Sequence, residues 1–358
     1  MDFPQVKLPT YLKLAQIIVG LIGFFYILYI GQDIFIPLTF AVIIGILLNP
    51  IVNFLVRKGL NRVLAISMAI LGVSVVAVGI GLFIGSQLAH FSDTFPQFKE
   101  KFGILQKDAI DWTAQTFNIS KVRINAWIAE TKGGLVNSSV IKKTLGALTS
   151  LLVLVILPVY IFLVLYYKNR LLEFIERLFE KNEHNVVAEV LTETKALIQG
   201  YLVGLSLEAV VVAVLNSVAL LIIGVEYAVL LGIIGALLNL IPYLGGLIAI
   251  ALPMLVAMAT GSPLDVLWVV IAYVVVQFLD NNFLVPRIVA SKVRLNALIS
   301  IIIVLIGNAL WGISGMFLSI PLTAILKVIF DRIDSLKPFG FLLGDEESKK
   351  RPFAIRKT

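Results

Sequence analysis

Long apolar runs constrain this chain more than any other feature of its sequence. A helix needs about 20 residues to cross a hydrocarbon core about 30 Å thick. The first half contains four such runs: Leu12 to Ile30, Ile34 to Val56, Val63 to Ala89 and Leu145 to Tyr167. With 59% hydrophobic and only 14% charged residues, the sequence predicts an all-α, multi-pass membrane protein whose first partner is the lipid bilayer.

Several chemical functions are disfavoured by residues that the sequence lacks. It has no cysteine, so it can form neither a disulfide nor a thiolate metal site. His90 and His184 lie in polar segments, where a solvated surface histidine is expected. We find no zinc-binding His-Glu-x-x-His, P-loop or serine elbow, and Asp280 is the only aspartate that lies more than one residue inside a span. The sequence therefore predicts no enzyme, no cofactor and no metal.

Basic residues predict the orientation in the membrane rather than a nucleic-acid partner. The formal net charge is +7, and its lysines and arginines lie beside the spans and in the tail. They include Lys7, Lys13, Arg57, Lys58, Arg62, Lys168, Arg170, Lys349, Lys350, Arg351, Arg356 and Lys357. Cytoplasmic loops carry an excess of positive residues, so both termini are predicted to be cytoplasmic.

Two polar segments interrupt the apolar runs. Residues 90–143 predict an extracytoplasmic helical insertion, and residues 168–199 a cytoplasmic segment. In the latter, Leu171, Phe174 and Leu178 recur at helical spacing, which fits an interfacial amphipathic helix or a solvated helical hairpin. The predicted division is 1–89 (three spans), 90–143, 144–167 (fourth span), 168–199, 200–333 (transport unit) and 334–358 (basic tail).

The second half alternates whole spans with broken ones. Gly200 to Gly224 is a full span, followed by short runs at 228–241 and 247–259 around the stretch LLNLIPYLGG. Leu264 to Leu284 is again a full span, followed by short runs at 295–306 and 316–329 around GNALWGISG. Runs of 13 or 14 residues reach only about 20 Å. The charges place the two broken pairs on opposite sides, which predicts an inverted repeat of helix and re-entrant hairpin.

The hairpin tips are candidate parts of a transport pathway. Unwound backbone at membrane depth exposes free carbonyls and helix ends, and must be sheltered by protein. Asn239 precedes Gly246 by seven residues, and Asn308 precedes Gly315 by the same interval. The candidate tip residues are Asn239, Pro242, Tyr243, Gly245, Gly246, Asn308, Gly312 and Gly315. The alternative is a short surface loop between two tilted helices.

Polar side chains within the spans complete the candidate pathway. Glu208 lies inside the span that starts at Gly200, where a carboxylate indicates an ion or proton route unless it reaches the interface. Gln277, Asp280 and Asn281 gather amide and carboxylate oxygens, which suit hard cations or hydroxylated solutes. The alternative is an interfacial helix end at which Asp280 pairs with Arg287.

The second half resembles a known family. GYLVGLSLEAVV, YAVLLGIIGALLNLIPYLGGLIAIALP and the stretch from QFLDNNFLVPR to IPLTAILKVIF are similar to the autoinducer-2 exporter (AI-2E) family of bacterial membrane proteins. The family's Pro-Tyr-x-Gly turn is matched at Pro242, Tyr243 and Gly245, and its Gln, Asn and Pro at Gln277, Asn281 and Pro286. Its Gly-x-x-Gly ahead of a proline is matched at Gly312, Gly315 and Pro321. The chain departs from the pattern at Gly246, Ala290, Asn296 and Ala297.

The resemblance implies a function and an assembly. Members are described as exporters of autoinducer-2, as sodium or lithium/proton antiporters, or as transport proteins of unknown substrate. It also implies a homo-oligomer, with a pentamer as the expected form, in the bacterial inner membrane. The expected function is therefore alternating-access export of autoinducer-2, a quorum-sensing signal, or of a similar small polar solute. A cation/proton antiporter and a non-transporting membrane scaffold are the alternatives.

Overall fold

The computed structural model describes residues 9–126, 151–241, 245–289 and 295–345. Its helices are α1 (Thr10–Ile30), α2 (Gln32–Arg57), α3 (Arg62–Phe117), α4 (Leu151–Arg177), α5 (His184–Ile223), α6 (Ala228–Asn239), α7 (Gly245–Thr260), α8 (Pro263–Leu279), a π-helical segment (Asp280–Val289), α9 (Ala297–Arg332) and α10 (Lys337–Leu343). Within these ranges the only β structure is an isolated bridge between Leu295 and Gly344. The predicted all-α class is confirmed.

Six helices of the described chain are long and apolar enough to cross a membrane. They are Gln32–Arg57, Arg62–Gln87, Val155–Arg177, His184–Ile223, Leu264–Ile288 and Ala297–Arg332. Three apolar stretches are shorter: Ala15–Ile30, Ala228–Asn239 and Ile248–Thr260. These lengths fit a multi-pass membrane protein.

Three helices continue past the predicted borders between apolar and polar segments. The 56-residue α3 runs through residue 90 to Phe117, α4 continues to Arg177, and α5 begins at His184. A change from apolar to polar side chains does not by itself end a helix, and Pro96 and Gly103 also lie inside α3 without ending it. The leucines and the phenylalanine of the 168–199 stripe are exposed, which favours the interfacial interpretation over packing within the chain. Residues 127–143 of the insertion lie outside the described ranges.

The chain divides into two compact units, one of residues 1–43 and 294–358 and one of residues 44–293. The core of the second unit lies among the end of α5, α6, α7 and α8. Its buried members include Leu220, Leu231, Val256, Val269 and Tyr273. In the first unit, α10 packs back against α9.

Local sequence signals set the helix ends around this core. Gly224 ends α5 with a φ of +85°, and its N–H bonds to the Leu220 carbonyl at 3.1 Å. A residue without Cβ adopts this left-handed conformation without steric cost. α8 begins with Pro263, preceded by Ser262, whose N–H and hydroxyl both donate to the Asp265 carboxylate at 2.6 and 3.0 Å.

Pro50 within α2 frees a backbone carbonyl, which a neighbouring helix satisfies. Proline has no N–H, so the carbonyl four residues earlier, that of Ile46, loses its helical partner. The Gln199 side chain of α5 donates its Nε2 hydrogen to that carbonyl at 2.7 Å. This contact both satisfies the carbonyl and joins α2 to α5.

Candidate functional site

The first broken segment forms a helical hairpin from α6 and α7, which we call the first hairpin (Ala228–Thr260). The two helices pack on each other, and the Gly245 backbone lies against the Leu238 carbonyl. A Cβ at Gly245 would also come within 2.7 Å of the Asn239 Cα. Only glycine fits this close approach. Pro242 and Tyr243 lie outside the described residues.

The second broken segment also folds back on itself, and we call it the second hairpin (Ala297–Arg332). Trp311 and Gly312 leave the helical conformation, and Gly312 has a φ of +59°. Beyond the break, the Gly315 backbone contacts the Gly307 backbone, and a Cβ at Gly307 would lie 3.2 Å from that of Ser319. The backbone therefore breaks inside GNALWGISG. The depth of either hairpin in a membrane remains a prediction.

A buried carboxylate lies next to the first hairpin. Asp280 begins the π-helical segment after α8 and is only 2% exposed. The Asn239 side chain, at the end of α6, donates its Nδ2 hydrogen to Asp280 Oδ2 at 2.8 Å. One hydrogen bond from an amide compensates only part of the desolvation cost of a carboxylate in an apolar interior. π-Helical turns occur frequently at functional sites.

Three buried oxygens at this position, one of them from the carboxylate itself, have no hydrogen-bond partner among the residues that the structure describes. They are Asp280 Oδ1, Asn216 Oδ1 of α5 and the Tyr273 hydroxyl of α8. All three residues line one cavity of about 10 Å³, about the volume that one water molecule requires. One water could donate to the two acceptors and accept from the tyrosine. We call these groups, together with Asn239, the polar cavity.

Gln277 and Gly246 close one side of the polar cavity. The Gln277 side chain lies against the Gly246 backbone, where a Cβ would collide with its carbonyl oxygen and lie 3.4 Å from Asn239 Oδ1. Gln277 also donates its Nε2 hydrogen to Asn281 Oδ1 at 3.2 Å. Asn281 is exposed and does not line the cavity. The absence of a side chain at Gly246 thus lets α7 approach α8 closely.

Glu208 is buried but does not line the polar cavity. It is 5% exposed and precedes Asn216 by two helical turns on the same face of α5. It is not among the residues that line the cavity. Its burial does not fit a side chain that extends to the membrane interface.

The second hairpin offers no comparable polar group within the described residues. Asn308 is exposed, and the Ser319 hydroxyl donates to the Met316 carbonyl at 2.6 Å. The Trp311 indole donates to the Leu28 carbonyl near the end of α1 at 3.0 Å. That both hairpins line one site stays a prediction.

The structure corrects one interpretation and adds one residue, Tyr273, to the candidate site. Asp280 bonds to Asn239 and forms no ion pair with Arg287, whose guanidinium instead lies 5.9 Å from the centre of the Phe283 ring. Tyr273 was missed, although it precedes Gln277 by four residues and Asp280 by seven, on one helical face. Asn216 shares the face of Glu208 for the same reason.

A buried carboxylate among broken helices of a multi-pass protein is typical of membrane transport proteins. Residues 18–335 match the sequence model of the AI-2E family transporters. The chain belongs to the AI-2E transporter family, a family of transporters rather than enzymes.

Curated relatives match most of the chain. YrrI of Bacillus subtilis (strain 168), a candidate transport protein by its name, is 28% identical over 83% of this chain and 86% of its own length. YhhT of Escherichia coli (strain K12), also a candidate transport protein by its name, is 24% identical over 98% and 99%. The AI-2 transport protein TqsA of the same strain is 24% identical over 92% and 95%.

Proposed function

We propose that the protein is a secondary transporter that exports autoinducer-2 or a similar small polar solute by alternating access. The observation that carries the proposal is the polar cavity. Three buried oxygens in it, one of them from Asp280, have no hydrogen-bond partner among the described residues. The name of the relative TqsA supports autoinducer-2 as the first solute to test. A hydroxylated solute suits this cavity because its hydroxyl groups can form hydrogen bonds with amide, phenol and carboxylate groups.

The size of the polar cavity supports alternating access. Small-molecule sites usually measure about 300 to 1,000 Å³, whereas this cavity measures about 10 Å³. A solute of several carbon atoms can enter only if α6 and α7 move away from α8. The tight contact of Gly245 with Leu238 makes the first hairpin a rigid element for such a movement, and the contact of Gly246 with Gln277 is one that the movement would break.

We further propose the placement in the membrane. Both hairpins would be re-entrant and inverted, with both termini cytoplasmic, and copies would assemble as a homo-oligomer in the bacterial inner membrane. Because the chain has no cysteine, Asn308→Cys and Ile248→Cys each introduce a unique thiol. If a water-soluble reagent labels one thiol only from one side of the membrane and the other thiol only from the opposite side, the inverted arrangement is supported. Labelling of both thiols from the same side would contradict it.

Efflux from proteoliposomes tests transport directly. Vesicles loaded with labelled autoinducer-2 should lose it through the wild-type protein, and Asp280→Asn should reduce the rate by at least about tenfold, which corresponds to about 1.4 kcal/mol. Asp334→Asn is the matched control because that carboxylate is 93% exposed. Efflux equal to that of loaded vesicles without protein would contradict the proposal and favour a membrane scaffold.

The polar cavity also supports cation/proton antiport as a second candidate. Its unpartnered groups are all oxygens, which are the ligands that hard cations prefer, and its volume suits a dehydrated ion. A pH dye inside the vesicles should then report proton flux that depends on sodium or lithium and is lost in Asp280→Asn. Solute efflux without any cation response would exclude this candidate.

A further inference from the structure

A second, larger cleft lies in the same compact unit as the polar cavity. It is formed by α2, α5 and the π-helical segment and measures about 540 Å³, within the range typical of ligand sites. Leu47, Val203, Leu207 and Ile288 give it an apolar lining. We call it the α2–α5 cleft.

The lining of the α2–α5 cleft offers almost nothing to a polar solute. Its polar side chains are Gln199 and Arg287, and the Gln199 amide already donates to the Ile46 carbonyl. Val203 and Leu207 are 48% and 54% exposed, so the cleft is open along its side. An occupant must therefore present apolar surface over most of its length.

Arg287 supplies one positive charge at the end of this apolar cleft. It is exposed and forms no ion pair within the described residues, and its nearest aromatic contact is the Phe283 ring at 5.9 Å. Arg287 lies close to the last apolar residues of the span Leu264–Ile288, where we place the lipid headgroups. A guanidinium without a carboxylate partner is suited to bind phosphate with two parallel hydrogen bonds.

We propose that the α2–α5 cleft binds one anionic phospholipid from the leaflet that we place on the cytoplasmic side. The phosphate binds Arg287, and one acyl chain lies along α5 from Gly200 to Leu207, a length of about 10 Å. Gly200 and Gly204, one turn apart in the lining, leave room for the chain. A phospholipid is the occupant that combines an apolar chain with an anionic group at this depth.

Native mass spectrometry of protein taken from vesicles with equal amounts of phosphatidylglycerol and phosphatidylethanolamine tests the site. The wild type should retain phosphatidylglycerol with about fivefold preference, the effect of one basic residue near a headgroup. Arg287→Gln should retain the two lipids equally. Arg170→Gln is the matched control, because Arg170 is exposed and does not line the cleft, and it should keep the wild-type preference.

A second variant tests the acyl chain independently of charge. Val203→Trp fills the cleft at a half-exposed position, where folding tolerates a larger side chain, and should lose the retained lipid altogether. Equal retention of both lipids by the wild type, or unchanged retention in Val203→Trp, would overturn the proposal. A wild-type oligomer without bound lipid would also overturn it, and would indicate that a second copy covers the cleft.

Discussion

The two helical hairpins share a backbone design but differ in what surrounds them. In the first hairpin Gly245 packs on the Leu238 carbonyl, and in the second Gly315 packs on that of Gly307. Only the first is bordered, within the described residues, by a buried carboxylate and unpartnered oxygens. The comparison teaches that a broken helix provides the turn, whereas the binding groups come from the helices beside it.

The largest effect on stability is expected from loss of the Asn239–Asp280 hydrogen bond, and it distinguishes this bond from the backbone of the first hairpin. Asn239→Leu removes the one hydrogen bond that the described residues make to the buried Asp280 carboxylate, and we expect the free energy of unfolding to fall by about 3 kcal/mol. Unfolding in detergent with increasing denaturant measures it. Asn239→Leu combined with Asp280→Leu should recover to within about 1 kcal/mol of the wild type, because both polar partners are then gone.

An equally unstable double variant would contradict this account. It would show that Asn239 stabilises the end of α6 rather than the carboxylate. Both variants should lose efflux. The double variant should therefore be nearly as stable as the wild type but inactive in transport.

The next effect tests whether the two hairpins are equivalent in their backbones. Gly245→Ala and Gly315→Ala each force a Cβ into a carbonyl of the opposite arm, and each should cost about 2 kcal/mol of unfolding free energy. Thermal unfolding of the two variants side by side measures the costs. Gly72→Ala is the control, since a Cβ there meets nothing within 4 Å, and it should be neutral or stabilising.

Costs that differ between Gly245→Ala and Gly315→Ala by more than about 2 kcal/mol would break the comparison. The hairpin with the smaller cost would then have arms that can separate.

A smaller effect is expected at the break of the second hairpin. Gly312 has a φ of +59° and open space around it, so Gly312→Ala adds conformational strain without a collision. We expect a loss of about 1 kcal/mol, measured by thermal unfolding, with no change in solute affinity. A change in affinity would assign binding to this hairpin as well.

The smallest stability effect is expected within the polar cavity. Tyr273→Phe removes a hydroxyl that has no partner, so the protein should be as stable as the wild type or up to about 1 kcal/mol more stable. Efflux should fall by about fivefold, the loss of one hydrogen bond to the solute. Tyr26→Phe, at a position 63% exposed, is the control. Normal efflux in Tyr273→Phe would exclude the tyrosine from binding.

Apolar length and glycine placement made much of the fold predictable. The spans follow from the length of uncharged runs, and the breaks occur where LLNLIPYLGG and GNALWGISG place their glycines. The end of α3 was not predictable by the same reasoning, because polar residues after 89 continue the helix and neither Pro96 nor Gly103 ends it.

The candidate site was predictable only in part, because its contacts are made between helices. The cluster at Gln277 and Asp280 is visible in the sequence, where Arg287 was the alternative partner considered for the carboxylate. The structure instead brings Asn239, at the end of α6, within hydrogen-bond distance of Asp280, a contact between distant parts of the sequence that no local pattern predicts. Tyr273 carries no signal of its own, since a tyrosine within an apolar helix is ordinarily part of the core.

With residues 90–143 outside the bilayer, as the sequence predicts, the length of α3 would set how far the protein reaches from the membrane. Its apolar part ends at Gln87, and the helix continues to Phe117, which adds about 45 Å at 1.5 Å per residue. A molecule that binds near Trp112 or Phe117 is therefore held well beyond the lipid headgroups. Deleting whole turns from this extension would shorten that distance in steps of about 5 Å.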